Sequence, residues 1–349
     1  MEKNRHNDLP KWPQEHNTPF ADRKWKNARP LPLVSACDLQ FVRALIQCCA
    51  DPNATDSDGW TPLTFAAHQG HIDAIRLLLE KGANPNAVNG NYGWTPLMHA
   101  AHKGHTDTAH LLLDSGANIH ATDKYGWTPL MRAAYNGHTD TAHLLLDSGA
   151  NIYATDVYGR TALMCAAGGG YADTVRLFLD KGAAVDTAED NGMTALMHAA
   201  YNGHTNTVRL LLDKGADVDA ARKDGWTALI FAADKGAADI ARLLLEKGAN
   251  PNAGNGNDGW TPLMHAMRNG NTDTAHLLLD SGANIHATDN YGWTPLMHAA
   301  REGHTNTVRL LLDKGADVDV ASTDRNALSL AEAEGHTEIV QMLRAAGAK

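Results

Sequence analysis

The amino-acid sequence predicts an all-α solenoid of stacked helix-turn-helix units joined by extended, β-hairpin-like turns. Three observations predict it: a period of about 33 residues, glycines that stop two short helices in each period, and a leucine run on the second helix. A Thr-Pro-Leu or Thr-Ala-Leu triplet places Leu63, Leu97, Leu130, Leu163, Leu196, Leu229, Leu263 and Leu296 in steps of 33 or 34 residues. A degenerate Asn-Ala-Leu follows at Leu328, and PLVSACDLQFVRALIQCCADPNA ahead of the first full unit reads as a shortened copy. The chain therefore divides into an N-terminal Pro-, Lys- and Trp-containing extension (1–30) and a repeat array (31–349). The array comprises a cap-like unit (31–54), full repeats (55–320) and a C-terminal cap repeat (321–349).

Each element of a unit follows from its residues, taking 123–155 as the example. Thr128 is a good N-cap and Pro129 suits the first helical position, so a short helix runs to about Asn136. Gly137 ends it, because glycine adopts positive φ at little cost. A second helix spans about Thr139 to Ser148, with Leu144, Leu145 and Leu146 as its apolar core and Gly149 as its stop. The residues after it, with the next Tyr-Gly-Trp, form the extended turn. Helices this short are marginal alone, so stability must come from stacking. The Ala133-Ala134 pair, repeated in most units, keeps side chains small where helices approach.

Composition narrows the function. Lys and Arg total 30 against 40 for Asp and Glu, a net charge of −10, which disfavours nucleic acid or an anionic membrane as partner. The start, MEKNRHNDLPKWPQ, has no apolar signal region, and no apolar run suits a membrane helix. A cytoplasmic location is expected, with export to a host by a route lacking such a signal left open. Cys37, Cys48, Cys49 and Cys165 are too few and too uneven for a disulfide framework and read as structural thiols.

The run D-x-x-G-x-T-P-L-x-x-A-A-x-x-G-H, followed by L-L-L-x-x-G-A-x-x-x-A, resembles the ankyrin-repeat family over about nine tenths of the chain. One departure is consistent. The resemblance implies a histidine directly after the triplet leucine, where this chain has Thr64, Met98, Met131, Met164, Met197, Ile230, Met264 and Met297. Histidine stands one residue later, at His99, His198, His265 and His298, so methionine packing must replace the family's His to Thr bond. A five-unit block is also duplicated. DGWTPLTFAA at Asp58 and DGWTALIFAA at Asp224 lie 166 residues apart, as do the inserted turns at Gly82 and Gly248.

The resemblance implies a concave face, lined by the turns and the first helices, on which a protein partner is held. Trp60, Trp94, Trp127, Trp226, Trp260 and Trp293 follow the turn glycine, with Tyr92, Tyr125, Tyr158 and Tyr291 two residues earlier. Trp and Tyr are enriched at binding hot spots. Arg160 and Met193 interrupt the ladder beside the unusual Gly168-Gly169-Gly170, suggesting two aromatic flanks around a different centre. Variable residues at the end of the first helix, including His102, Tyr135, Tyr201, Arg268 and Arg301, are expected to join the surface. Alanine at Trp94, Trp127, Trp260 and Trp293 is expected to weaken capture without unfolding the array.

Other chemistry finds no foothold. Most of the 19 histidines repeat with the period. His71, His105, His138, His204, His304 and His336 open the second helix, where the ring should bond nearby backbone, and His110, His143 and His276 should be exposed. Zinc spacings, phosphate loops and hydrolase motifs are missing, so no catalytic residue, metal or cofactor is expected. The sequence thus reads as a non-enzymatic protein-binding module acting by sequestration, inhibition or scaffolding. The alternative is self-association as a homodimer, through the aromatics or through the Trp12 to Trp25 arm.

Overall fold

The computed structural model describes residues 51–90, 92–256, 258–323 and 325–349. The extension 1–30, most of the cap-like unit and Cys37, Cys48 and Cys49 lie outside them. Among the described residues, eighteen helices pair into nine units. They are α1 (Pro62–Gln69) with α2 (Ile72–Glu80), α3 (Pro96–Lys103) with α4 (Thr106–Asp114), and α5 (Pro129–Tyr135) with α6 (Thr139–Asp147). Next come α7 (Ala162–Gly168) with α8 (Ala172–Asp180), α9 (Ala195–Tyr201) with α10 (Thr205–Asp213), and α11 (Ala228–Lys235) with α12 (Ala238–Glu246). The last are α13 (Pro262–Arg268) with α14 (Thr272–Asp280), α15 (Pro295–Glu302) with α16 (Thr305–Asp313), and α17 (Ala327–Ala333) with α18 (Thr337–Ala345). First helices pack on first helices of adjacent units, and second helices on second helices.

Capping explains where the first helices begin. Thr128 is extended, and its Oγ1 accepts the N–H of Met131 at 3.2 Å. The same bond runs from Met98 to Thr95 and from Met264 to Thr261. The methionine that stands in for the family histidine also contributes here. The Sδ of Met98 accepts the N–H of Thr95 at 3.5 Å, and that of Met264 the N–H of Thr261 at 3.5 Å, so thioethers complete the cap.

The core is small residues between first helices, with the middle residue of the leucine run of each second helix fully buried and further apolar residues such as Ile75, Val175, Val208 and Ile240 beside it. Ala133 and Ala134 are fully buried, as are Leu78, Leu112, Leu145, Phe178, Leu211, Leu244, Leu278 and Leu311. Leu144 and Leu146 are only partly buried, a correction to the three-leucine core read from the sequence. Three consecutive helical residues fan over more than half the circumference, so only the middle one can point straight inward.

Among the described residues, five second helices are also pegged to the unit before them by the histidine that opens them. His138 Nε2 donates to the His102 carbonyl at 2.9 Å, His204 to Gly168 at 3.0 Å, His304 to Arg268 at 2.8 Å and His336 to Arg301 at 3.0 Å. The ring thus bonds backbone, as expected, and the carbonyl belongs to the preceding unit because the ring lies over that unit's terminal glycine. A Cβ on Gly104 would stand 2.5 Å from His138 Nδ1. Two glycines of the Gly168-Gly169-Gly170 run also lie under rings. A Cβ on Gly170 would meet the His204 ring, and one on Gly169 the Tyr171 ring.

Extended structure is slight. β1 (Ala321–Ser322) pairs antiparallel with β2 (Arg325–Asn326), and single bridges join Ala188 to Thr194 and Ala221 to Thr227. In the final helix Leu343 is buried while Gln341 and Arg344 are exposed, and Arg344 donates to Glu332 at 2.7 Å.

Candidate protein-interaction face

The turns are built by one acidic or amide side chain each. Asp123 Oδ1 accepts the N–H groups of Tyr125 and Trp127 at 2.8 and 2.9 Å. Asp289 does the same for Tyr291 and Trp293, and Asn89 holds Trp94. Successive turns are then stitched by backbone. Lys124 N–H donates to the Tyr92 carbonyl, Val157 to Tyr125, Asp190 to Tyr158, Lys223 to Asn191 and Gly256 to Asp224, all between 2.8 and 3.1 Å. The turn tips therefore stand in fixed register, one rung per unit.

The second carboxylate oxygen reaches the first helix. Asp123 Oδ2 pairs with Arg132, Asp156 Oδ2 accepts from Arg160 Nε at 2.6 Å and from Trp127 Nε1 at 3.1 Å, and Glu189 pairs with His198 at 2.7 Å. Asp289 pairs with His298 at 3.0 Å. These groups are buried, and each carboxylate has a guanidinium or imidazole partner, as a desolvated carboxylate requires. Burial pushes the Asp289 carboxyl up, but His298 and the N–H groups of Trp293 and Tyr291 more than offset this and hold it below the usual range.

The indoles form two stacks with cationic or imidazole groups between them. Near the N-terminus His99 lies between Trp60 and Trp94 at 4.4 and 5.0 Å, and Arg132 between Trp94 and Trp127 at 3.9 and 4.4 Å. Near the C-terminus His265 lies between Trp226 and Trp260 at 4.7 and 5.2 Å, and His298 between Trp260 and Trp293 at 4.3 and 5.3 Å. Such contacts hold an aromatic ring on both faces. Sequence reading missed this intercalation. Its signal was the polar residue two places after the triplet leucine, nine residues beyond the turn acid in Asp123/Arg132, Glu189/His198 and Asp289/His298.

The predicted surface residues separate accordingly. Trp94, Trp127, Trp226, Arg160, Met193 and His102 are buried, Trp127 to 1% exposure, because the next unit's side chain covers each turn. For Trp94 and Trp127 this runs against the expectation that alanine there would leave the array folded. Trp60, Trp260, Trp293, Tyr135, Tyr201 and Arg268 are half-buried. Tyr135 sits edge-on to Trp127 at 5.5 Å and Tyr201 to Phe231 at 5.6 Å, while Arg268 and Arg301 lie over Trp260 and Trp293 at 5.1 and 5.4 Å. Tyr92, Tyr125, Tyr158, Tyr291 and Arg301 are exposed. The proposed flanks persist as stacks, and the centre between them is filled by the Arg160 to Asp156 pair and the interior Met193.

Titratable groups report the same burial. Burial, then the electrostatic influence of His68, His102, Arg132 and Lys103, hold the His99 imidazole well below its ordinary value. Burial pushes the Cys165 thiol up to about 12, leaving a protonated, inert side chain. Among the described residues no three His, Cys, Asp or Glu side chains converge as metal ligands, and no helix is long and apolar enough to cross a membrane.

Comparison with known families matches ankyrin repeats (3 copies) over residues 33–123, 90–156, 153–222, 219–289 and 282–349. The chain belongs to the ankyrin-repeat family. Ankyrin repeats are in general a protein–protein interaction module and generally non-enzymatic. Among curated proteins the chain is similar to protein fem-1 homolog C of Bos taurus and of Mus musculus, each 41% identical over 58 residues. That segment is 17% of this chain and only 9% of the length of those relatives.

Proposed function

We propose that this ankyrin array captures a protein partner along its concave face and acts by occlusion or recruitment. Contact is made by the exposed Tyr92, Tyr125 and Tyr158, with support from the half-buried Trp60, Trp260 and Trp293 and from Arg268 and Arg301. The buried indoles serve as scaffold. One observation carries the reading: three consecutive rungs bear exposed tyrosines while their backbones are locked rung to rung. An aromatic row fixed before binding loses little ordering entropy when a partner arrives.

The test is affinity capture from a lysate of the source organism with the full chain and with Tyr92→Ala/Tyr125→Ala/Tyr158→Ala. The triple variant should keep its helical circular dichroism and lose the captured partner. Equal capture by both proteins would sink this placement of the site.

A further inference from the structure

We propose that the tyrosine ridge takes a polyproline II segment of a partner protein, apolar at every third residue and flanked by Lys or Arg. The proposal rests on the docking reading above and names its ligand. The ridge is Tyr92, Tyr125 and Tyr158 at 39%, 36% and 45% exposure, with Val157 at 56%.

The duplicated block supplies an internal control. In the second copy, 166 residues on, Asp258 stands for Tyr92 and Thr323 for Val157, while Tyr291 repeats Tyr125. The second copy carries the corresponding helices, and Asn290 N–H donates to the Asp258 carbonyl as Lys124 does to that of Tyr92, while the Tyr291 carbonyl accepts from Ser322 Oγ instead of from backbone. The fold therefore does not require apolar tips, and their grouping on three consecutive rungs of one copy marks a contact surface.

Backbone geometry selects the ligand conformation. The carbonyls of Tyr92, Tyr125 and Tyr158 already accept the N–H groups of Lys124, Val157 and Asp190, so the ridge offers no open edge for strand addition. The three hydroxyls have no hydrogen bond within the protein among the described residues, and they form a row of donors. An α-helix consumes its carbonyls internally, whereas a polyproline II chain leaves every carbonyl free to accept. The spacing agrees. Adjacent units lie about 8–10 Å apart, and one polyproline II turn advances ~9 Å, so each turn meets one tyrosine.

Charge sets the flanks. At the tyrosine position of the turn, Asp58 precedes the ridge, and Asn191, Asp224 and Asp258 follow it, with exposed Asp190 beside Asn191; Asp224 is paired with Arg222 at 2.8 Å, and the exposed Lys124 stands beside Tyr125. An apolar row with acids beyond both ends, on a chain of net charge −10, complements a segment with basic ends.

The test is isothermal titration of the full chain with a nonaproline peptide carrying one arginine at each end. Its comparators are an Arg-ended Gly-Ser peptide of equal length and an amphipathic Leu-Lys helical peptide. The proline peptide should bind saturably and at least tenfold more tightly than either. Tyr92→Phe/Tyr125→Phe/Tyr158→Phe, which keeps the rings, should weaken it at least fivefold, the alanine triple at least tenfold, and Tyr291→Phe not at all. Equal binding of the Gly-Ser peptide, tighter binding of the helix, or no effect of the phenylalanine triple overturns the proposal. Partner capture lost with the alanine triple while nonaproline fails to bind leaves the docking face standing and overturns its polyproline ligand.

Discussion

The guanidinium of Arg132 lies 3.9 Å from the centre of the Trp94 ring, across the joint between two successive units. The same group faces Trp127 at 4.4 Å and pairs with the buried carboxylate of Asp123. Arg132→Ala strands that carboxylate in the interior and is expected to destabilise the array by about 3–5 kcal/mol. Arg132→Lys keeps the charge, loses the planar stack and should cost less. Urea unfolding of the two variants beside the parent decides it, and an alanine variant as stable as the parent would contradict the ion pair.

Trp127 and Tyr125 share one turn yet differ in role. Trp127 is 1% exposed, and its indole N–H donates to Asp156, so Trp127→Ala should cost about 3–5 kcal/mol. Tyr125→Ala, on the exposed tip, should stay within about 0.5 kcal/mol. Thermal melts of the pair separate scaffold from surface directly.

Glycines separate in the same way. Gly104 and Gly116 have φ of 73° and 87°, so alanine at either pays the left-handed penalty of about 1–2 kcal/mol. Only at Gly104 does the new Cβ also press on the His138 ring, whereas Gly116 faces open space. Gly104→Ala should therefore lower the melting temperature further than Gly116→Ala, and equal effects would remove the steric peg.

Acid should weaken the array in two stages. Burial lowers the folded-state values of His99 and His138 from the ordinary 6.5, so below about that pH the unfolded chain binds protons that the folded chain refuses. Stability from these two groups is thus intact above pH 6.5 and declines as pH falls through it. Asp234 and Asp289 are held below 3.8, so their contribution persists until the pH drops below about that value. Melting temperature measured from pH 7.5 to 5 should fall, and His99→Phe, which leaves a ring between Trp60 and Trp94, should flatten the slope. An unchanged slope would show that His99 does not drive the first stage.

The helices were legible because their causes are local: Thr128, Pro129 and Gly137 act within their own unit. The aromatic face was not, because the period gives the place of Trp94 within a unit and is silent on what the next unit lays over it. Arg132, 38 residues later, makes that indole interior. The backbone bond of His138 was expected, but not its acceptor, which stands 36 residues back. The exposed tyrosines were visible as turn residues, but only the rung-to-rung backbone bonds separate them from the tryptophans two residues on.

The peg of imidazole over glycine has a further consequence. The unit before 123–155 presents the His105 ring on one side and the receiving Gly104 and His102 carbonyl on the other, so its two edges would also fit each other. A unit is in this sense a tile, and splicing a whole tile in or out recreates a complete seam, whereas a partial insertion leaves a ring without its seat. The 166-residue duplication is the kind of edit that such matched edges make harmless, and lengthening of the array by copying needs no new joint to be invented.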